Sequence, residues 1–78
     1  MMLQPGDLIQ YIPWDKQKNM PLIDQLCFAV VLQVDDESII VDSARYVCPE
    51  VIQKKYLKTL KVELVSRPDK SGQNPVNL

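Results

Sequence analysis

The chain has 78 residues, is 46% hydrophobic and carries nine Lys and Arg against ten Asp and Glu, with no histidine. That length allows one domain, with a core too small for more than a few kcal/mol of net stability unless a partner helps. No apolar run approaches the roughly 18 residues that span a membrane, and residues 1–7 lack the basic and apolar stretches of a secretory leader, so a cytoplasmic protein without membrane contact is expected.

Pro5-Gly6-Asp7 is turn chemistry and launches a strand over residues 8–12, with Ile9 and Tyr11 on one face and Leu8, Gln10 and Ile12 on the other. Pro13 stops it, because proline cannot donate to a ladder. Residues 13–25 then make a long first loop for so small a domain. Trp14, Met20, Leu22 and Ile23 render it more apolar than a solvated connection, which makes it the chief candidate for a recognition loop. The competing use of Trp14 is to complete the core at the open end of the domain.

Residues 28–34 and 39–41 are two apolar, β-branched runs meeting at Asp35-Asp36-Glu37-Ser38, the pattern of a hairpin with an acidic turn. In the first run the even positions (Leu26, Phe28, Val30, Leu32, Val34) are the larger, which predicts that they face the core. The return strand runs over 39–46 and loses its apolar character at Asp42-Ser43. After Pro49, residues 51–56 fit either another strand or the start of a short helix, and the strand formers Val51, Ile52 and Tyr56 favour the strand. Leu57 and Leu60, three apart, fit one 3₁₀ turn before a last strand over 61–66. Residues 67–78 read as an extended, flexible C-terminal tail. The expected core is Ile9, Tyr11, Phe28, Val30, Leu32, Ile39, Val41, Leu57, Leu60, Val62 and Leu64.

Five short strands, a long first loop, a tight hairpin and one helical turn before the last strand resemble an SH3-like barrel. Gly6-Asp-Leu-Ile-Gln-Tyr11 looks like the Gly-Asp-apolar opening of small SH3-like proteins, residues 30–34 like their second strand, and residues 57–65 like their closing turn and strand. Such proteins are common in tailed bacteriophages, and the resemblance covers residues 5–66. It implies a small five-stranded all-β barrel over residues 1–66. The role it implies is that of an accessory protein acting through protein contacts: a virion component, an assembly factor or a modulator of a host protein.

Chemistry-bearing residues are sparse. Two cysteines are too few for a disulfide framework, and without histidine the familiar zinc spacings cannot be built, so no metal or cofactor is expected. Cys27, inside an apolar run, reads as a small buried hydrophobe. The start at Pro5 followed by the apolar hairpin is similar to part of the papain-like amidases, but there a histidine opens the second strand. This chain has none to activate Cys27 or Cys48, so it is expected not to be an enzyme.

Charge is uneven along the chain. Residues 1–43 hold two lysines against seven acids, and residues 44–78 hold seven cations against three acids, an asymmetry that can steer association. The residues expected to touch a partner are Trp14, Met20 and Leu22, with Asp35, Asp36 and Glu37 opposed to Lys54, Lys55 and Lys58 to orient the contact. Oppositely charged segments on one molecule also permit head-to-tail homo-oligomers. The alternative is a nucleic-acid-binding module of the KOW type, using residues 54–61 with Tyr46 and Tyr56. Against it stand the net acidic charge and Phe28-Ala29, where that pattern has a glycine.

Overall fold

The acidic hairpin forms as its sequence dictates. In the computed structural model, which describes residues 2–44 and 47–68, β4 (Cys27–Val34) and β5 (Ser38–Ser43) run antiparallel. Their turn is closed by the Asp35 N–H donating to the Ser38 carbonyl at 2.8 Å. β1 (Leu8–Tyr11) pairs with the other side of β4, from Leu8 opposite Val30 to Tyr11 opposite Cys27. β7 (Glu63–Ser66) lies outside β1, and β6 (Glu50–Gln53) lies outside β5. The strand order is therefore β6-β5-β4-β1-β7, antiparallel at every pairing, with β4 at the centre.

The described residues contain seven strands rather than five, because the long first loop is itself a ribbon. β2 (Trp14–Asp15) pairs with β3 (Met20–Pro21) as a separate two-stranded sheet. The ribbon folds because the Asp15 carboxylate accepts the backbone N–H groups of Gln17 and Lys18, at 2.9 and 3.2 Å, an Asx-type turn. Asn19 takes the left-handed conformation at φ 56°, which asparagine tolerates better than most residues. The Leu22 N–H then closes the ribbon onto the Pro13 carbonyl.

The inner face of β4 is the reverse of the one that side-chain size predicts. Cys27, Ala29 and Val31 are buried, whereas Phe28, Val30 and Leu32 are 49, 40 and 46% exposed. Tyr11 explains the inversion. Its ring is buried and its hydroxyl bonds to Glu50 of β6, so the side chain reaches across the inner side of β4 and β5. Only small side chains beneath it leave room, and the positions it crosses are Cys27, Ala29 and, opposite Ala29, Ser43. A bulge between Val31 and Gln33 then restores the pattern, so that Val34 packs against the core beside Ile39. Leu64, also expected inside, is 40% exposed on the edge strand β7, where no strand lies beyond it to cover its side chain.

Ile9, Tyr11, Ile39, Val41, Leu60 and Val62 are buried as expected, and Ile52 joins them. The 3₁₀ turn occupies Lys54–Tyr56, one turn earlier than the leucine spacing indicates. A hydrogen-bonded turn follows it, in which the Leu60 N–H meets the Tyr56 carbonyl and the Val62 N–H meets the Leu57 carbonyl. This drops Leu60 into the core and leaves Leu57 packed at its margin.

Arg67 and Pro68, read from sequence as the start of the tail, are fastened to the domain. Arg67 Nε donates to the buried Asp7 carboxylate at 2.9 Å and Arg67 Nη2 to the Met2 carbonyl at 2.8 Å. Pro68 packs over Gly6, whose φ of 95° and contact with the proline ring both favour glycine. Residues 69–78 of the expected tail lie outside the described residues, as does Tyr46 at the end of the expected return strand. No helix among the described residues is long and apolar enough to cross a membrane.

Candidate functional site

An open groove of about 260 Å³ runs between the β2–β3 ribbon and β6. Trp14 and Lys16 form its ribbon side, Glu50, Val51 and Gln53 its sheet side, and Tyr56 closes one end. β6 follows Pro49 and is an edge strand, paired only on its β5 side. The Lys54 N–H donates to the Glu37 carbonyl at 2.8 Å and so points toward the hairpin. Backbone groups alternate sides along a strand, so Ile52 and Glu50 also turn theirs toward β5 while Val51 and Gln53 turn theirs toward the groove. An edge of this kind is a template for another extended chain.

The aromatic end of the groove is set by two turns of unrelated origin. Pro13 ends β1 and redirects the chain so that Trp14 opens the ribbon, while the 3₁₀ turn delivers Tyr56 from the far side of β6. Their ring centroids stand 6.3 Å apart with planes inclined at 37°, and Lys55 Nζ lies 5.3 Å from the Tyr56 centroid. Trp14 is half-buried and packs on the core margin; Tyr56 is exposed at 42%. An open aromatic pair of this kind offers an apolar side chain a flat surface without closing over it. Glu50 anchors the other end through the Tyr11 hydroxyl at 2.7 Å. Burial, reinforced by that carboxylate, pushes the Tyr11 pKa well above its usual value and keeps the phenol protonated.

Of the residues expected from sequence to touch a partner protein, Trp14 alone lines this groove; Tyr56, expected there only for the nucleic-acid alternative, closes its end. Met20 and Leu22 line a separate depression of about 190 Å³ on the ribbon with Lys18 and Ile23. Asp36 and Glu37 border a third depression, of about 300 Å³, together with Lys54 and Lys55. The acidic and basic segments therefore meet at one place on the surface rather than standing apart. Asp35 accepts from Gln33 Nε2 at 2.8 Å, and Lys58 is exposed on the turn after Tyr56. Glu50, Val51 and Gln53 were not among the residues expected from sequence. The signal that could have found them is Pro49 before a four-residue strand, since proline and brevity both mark sheet edges.

Among the described residues no group of three or more Cys, Asp or Glu side chains is gathered as metal ligands, and neither Cys27, which is buried, nor Cys48, which is exposed, is in a disulfide. No protein family, curated protein or solved structure matches this chain.

Proposed function

We propose that this chain is a non-enzymatic protein-interaction module that takes an extended segment of a partner protein alongside β6, with the Trp14–Tyr56 pair holding one of its apolar side chains. The outward-turned backbone of Val51 and Gln53 along an open groove carries this reading. Main-chain hydrogen bonds to a sheet edge supply affinity, and a flanking aromatic pocket supplies selectivity. The fold we assign is a small SH3-like barrel. Two cross-links support its curvature: Tyr11 of β1 to Glu50 of β6, and the Ile12 N–H to the Leu60 carbonyl at 2.8 Å. The setting we propose, by the resemblance of residues 5–66, is that of a phage-type accessory protein working in a host cytoplasm or a virion.

A random-peptide display selection on the full chain, followed by amide-shift mapping, tests the reading. Selected peptides should shift the amides of residues 50–53 and the Trp14 indole. Val51→Pro should weaken them at least tenfold while leaving the fold intact, because proline is tolerated where an edge N–H faces outward. Peptides that shift only residues 20–25, or that bind Val51→Pro as tightly as the parent, would overturn it.

A further inference from the structure

We infer that the outer face of the five-stranded sheet is a second docking surface, which receives an amphipathic helix whose apolar stripe is flanked by Lys and Arg. The site borders the β6 groove at Val51, which lies opposite Ile40, but does not rest on that reading.

β4 is the central strand, so the exposure of Phe28, Val30 and Leu32 is not an edge effect. Leu8 lies directly opposite Val30 on β1, and Ile40 of β5 lies opposite Gln33, beside Leu32. These five side chains form one continuous apolar field. A solvated antiparallel sheet alternates apolar residues inward with polar residues outward; strands apolar on both sides belong to sheets covered on both faces. Contiguous exposed apolar surface on this scale marks an interaction site.

The charges on the field select its occupant. Asp42 stands directly opposite Val30, and Glu63 stands opposite Gln10, whose amide donates to it at 2.8 Å. No Lys or Arg occupies an outward strand position among the described residues. A second copy packed face to face would gather four carboxylates in one layer with no cation from the described strand positions, at a high desolvation cost. Residues 69–78 of the chain itself offer only Val76 and Leu78 as large apolar side chains and balance Lys70 with Asp69. An anionic membrane surface is repelled. A cationic amphipathic helix supplies both the stripe and the countercharges. The field lies on three adjacent strands, β5, β4 and β1. At a spacing of about 4.8 Å and about 3.3 Å per residue it is on the order of 10–15 Å across, which a helix of about 14 residues covers.

The probe is a synthetic helix of that length with leucine on one face and lysine on its flanks, compared with the same helix bearing glutamate on its flanks. Added to the full chain, the lysine helix should shift the amides of residues 28–32 and 40–42 and bind at least tenfold more tightly than the glutamate helix. Val30→Ser should weaken it at least tenfold, Asp42→Lys should reverse the preference, and Trp14→Ala should change neither. Val30 and Asp42 face outward, so both variants should keep the parental melting temperature. Equal binding of the two helices, or shifts confined to residues 50–53, would overturn the inference. So would a dimer in sedimentation that Val30→Ser dissociates, or through-space contacts between the methyls of Val76 or Leu78 and Val30, since either would name a different occupant.

Discussion

The Tyr11 hydroxyl of β1 donates to the Glu50 carboxylate of β6 at 2.7 Å, across two intervening strands. One bond thus joins the strand at the heart of the core to the edge strand that lines the groove. The Ser43 hydroxyl bonds to the same phenol oxygen, so the small residues beneath the ring and the polar pair at its tip form one arrangement. Packing sets where the ring lies, and the hydrogen bonds set where β6 lies.

Removing the hydroxyl tests this coupling. Tyr11→Phe should cost about 1.5–3 kcal/mol, the range for a hydrogen bond to a charged group, measured by urea unfolding near neutral pH. The pH dependence is a second signature. Because the folded pKa of Tyr11 is raised, the native protein holds a proton that the unfolded chain releases above about pH 10, so stability should fall as pH rises past that value. Tyr11→Phe should lose that slope.

The face of β4 is tested by a pair of truncations. Ile39 is fully buried and Leu32 is 46% exposed. Ile39→Ala should therefore cost about 2–5 kcal/mol, enough to unfold much of so small a domain, whereas Leu32→Ala should stay within about 0.5 kcal/mol of the parent. Equal losses in thermal melts would place Leu32 in the core after all.

Much of this fold is legible in the chain because local chemistry agrees with global packing. Ile9, Tyr11, Ile39 and Val41 alternate with more exposed neighbours and are buried as that alternation dictates. The acidic turn and the strand stops at Pro13 and Pro49 are written in residue types with one conformational use each. β4 is not legible, because it is apolar on both faces and side-chain size points the wrong way. What decides it is the reach of Tyr11, a relation between strands that no single window contains. The ribbon is missed for a related reason, since Asp15 caps the turn through a bond to residues two and three positions on. The groove is half legible: Trp14 stands out by type, whereas Val51 and Gln53 matter only because β6 is an edge.

Asp7 and Arg67 should govern acid stability. The Arg67 guanidinium bonded to Asp7, with the Gln4 N–H at 2.8 Å, outweighs burial and holds the Asp7 pKa below its usual value. A depressed carboxylate contributes stability that is complete above the unfolded pKa, near 4, and is lost as pH falls through the folded value. The urea midpoint should drop between pH 5 and pH 2.5. Asp7→Asn should lower the midpoint at pH 5 and make it nearly independent of pH over that window.

The last expectation concerns nucleic acid, and the arrangement of charge decides it. Lys54 and Lys55 are the core of the basic segment, yet they border the same depression as Asp36 and Glu37. A phosphate approaching those lysines meets carboxylates at once. Counterion release, which drives non-specific binding, requires cations free to replace condensed salt around the nucleic acid. Mixed single- and double-stranded nucleic acid should therefore show no retention by the full chain at 50 mM salt, the condition that most favours phosphate contacts. Replacing Asp36 and Glu37 together with asparagine and glutamine should raise retention, with a slope against log salt that reports the lysines set free. Strong retention by the parent chain, steeply lost between 50 and 200 mM salt, would instead make residues 54–61 a nucleic-acid contact and displace the protein-binding reading.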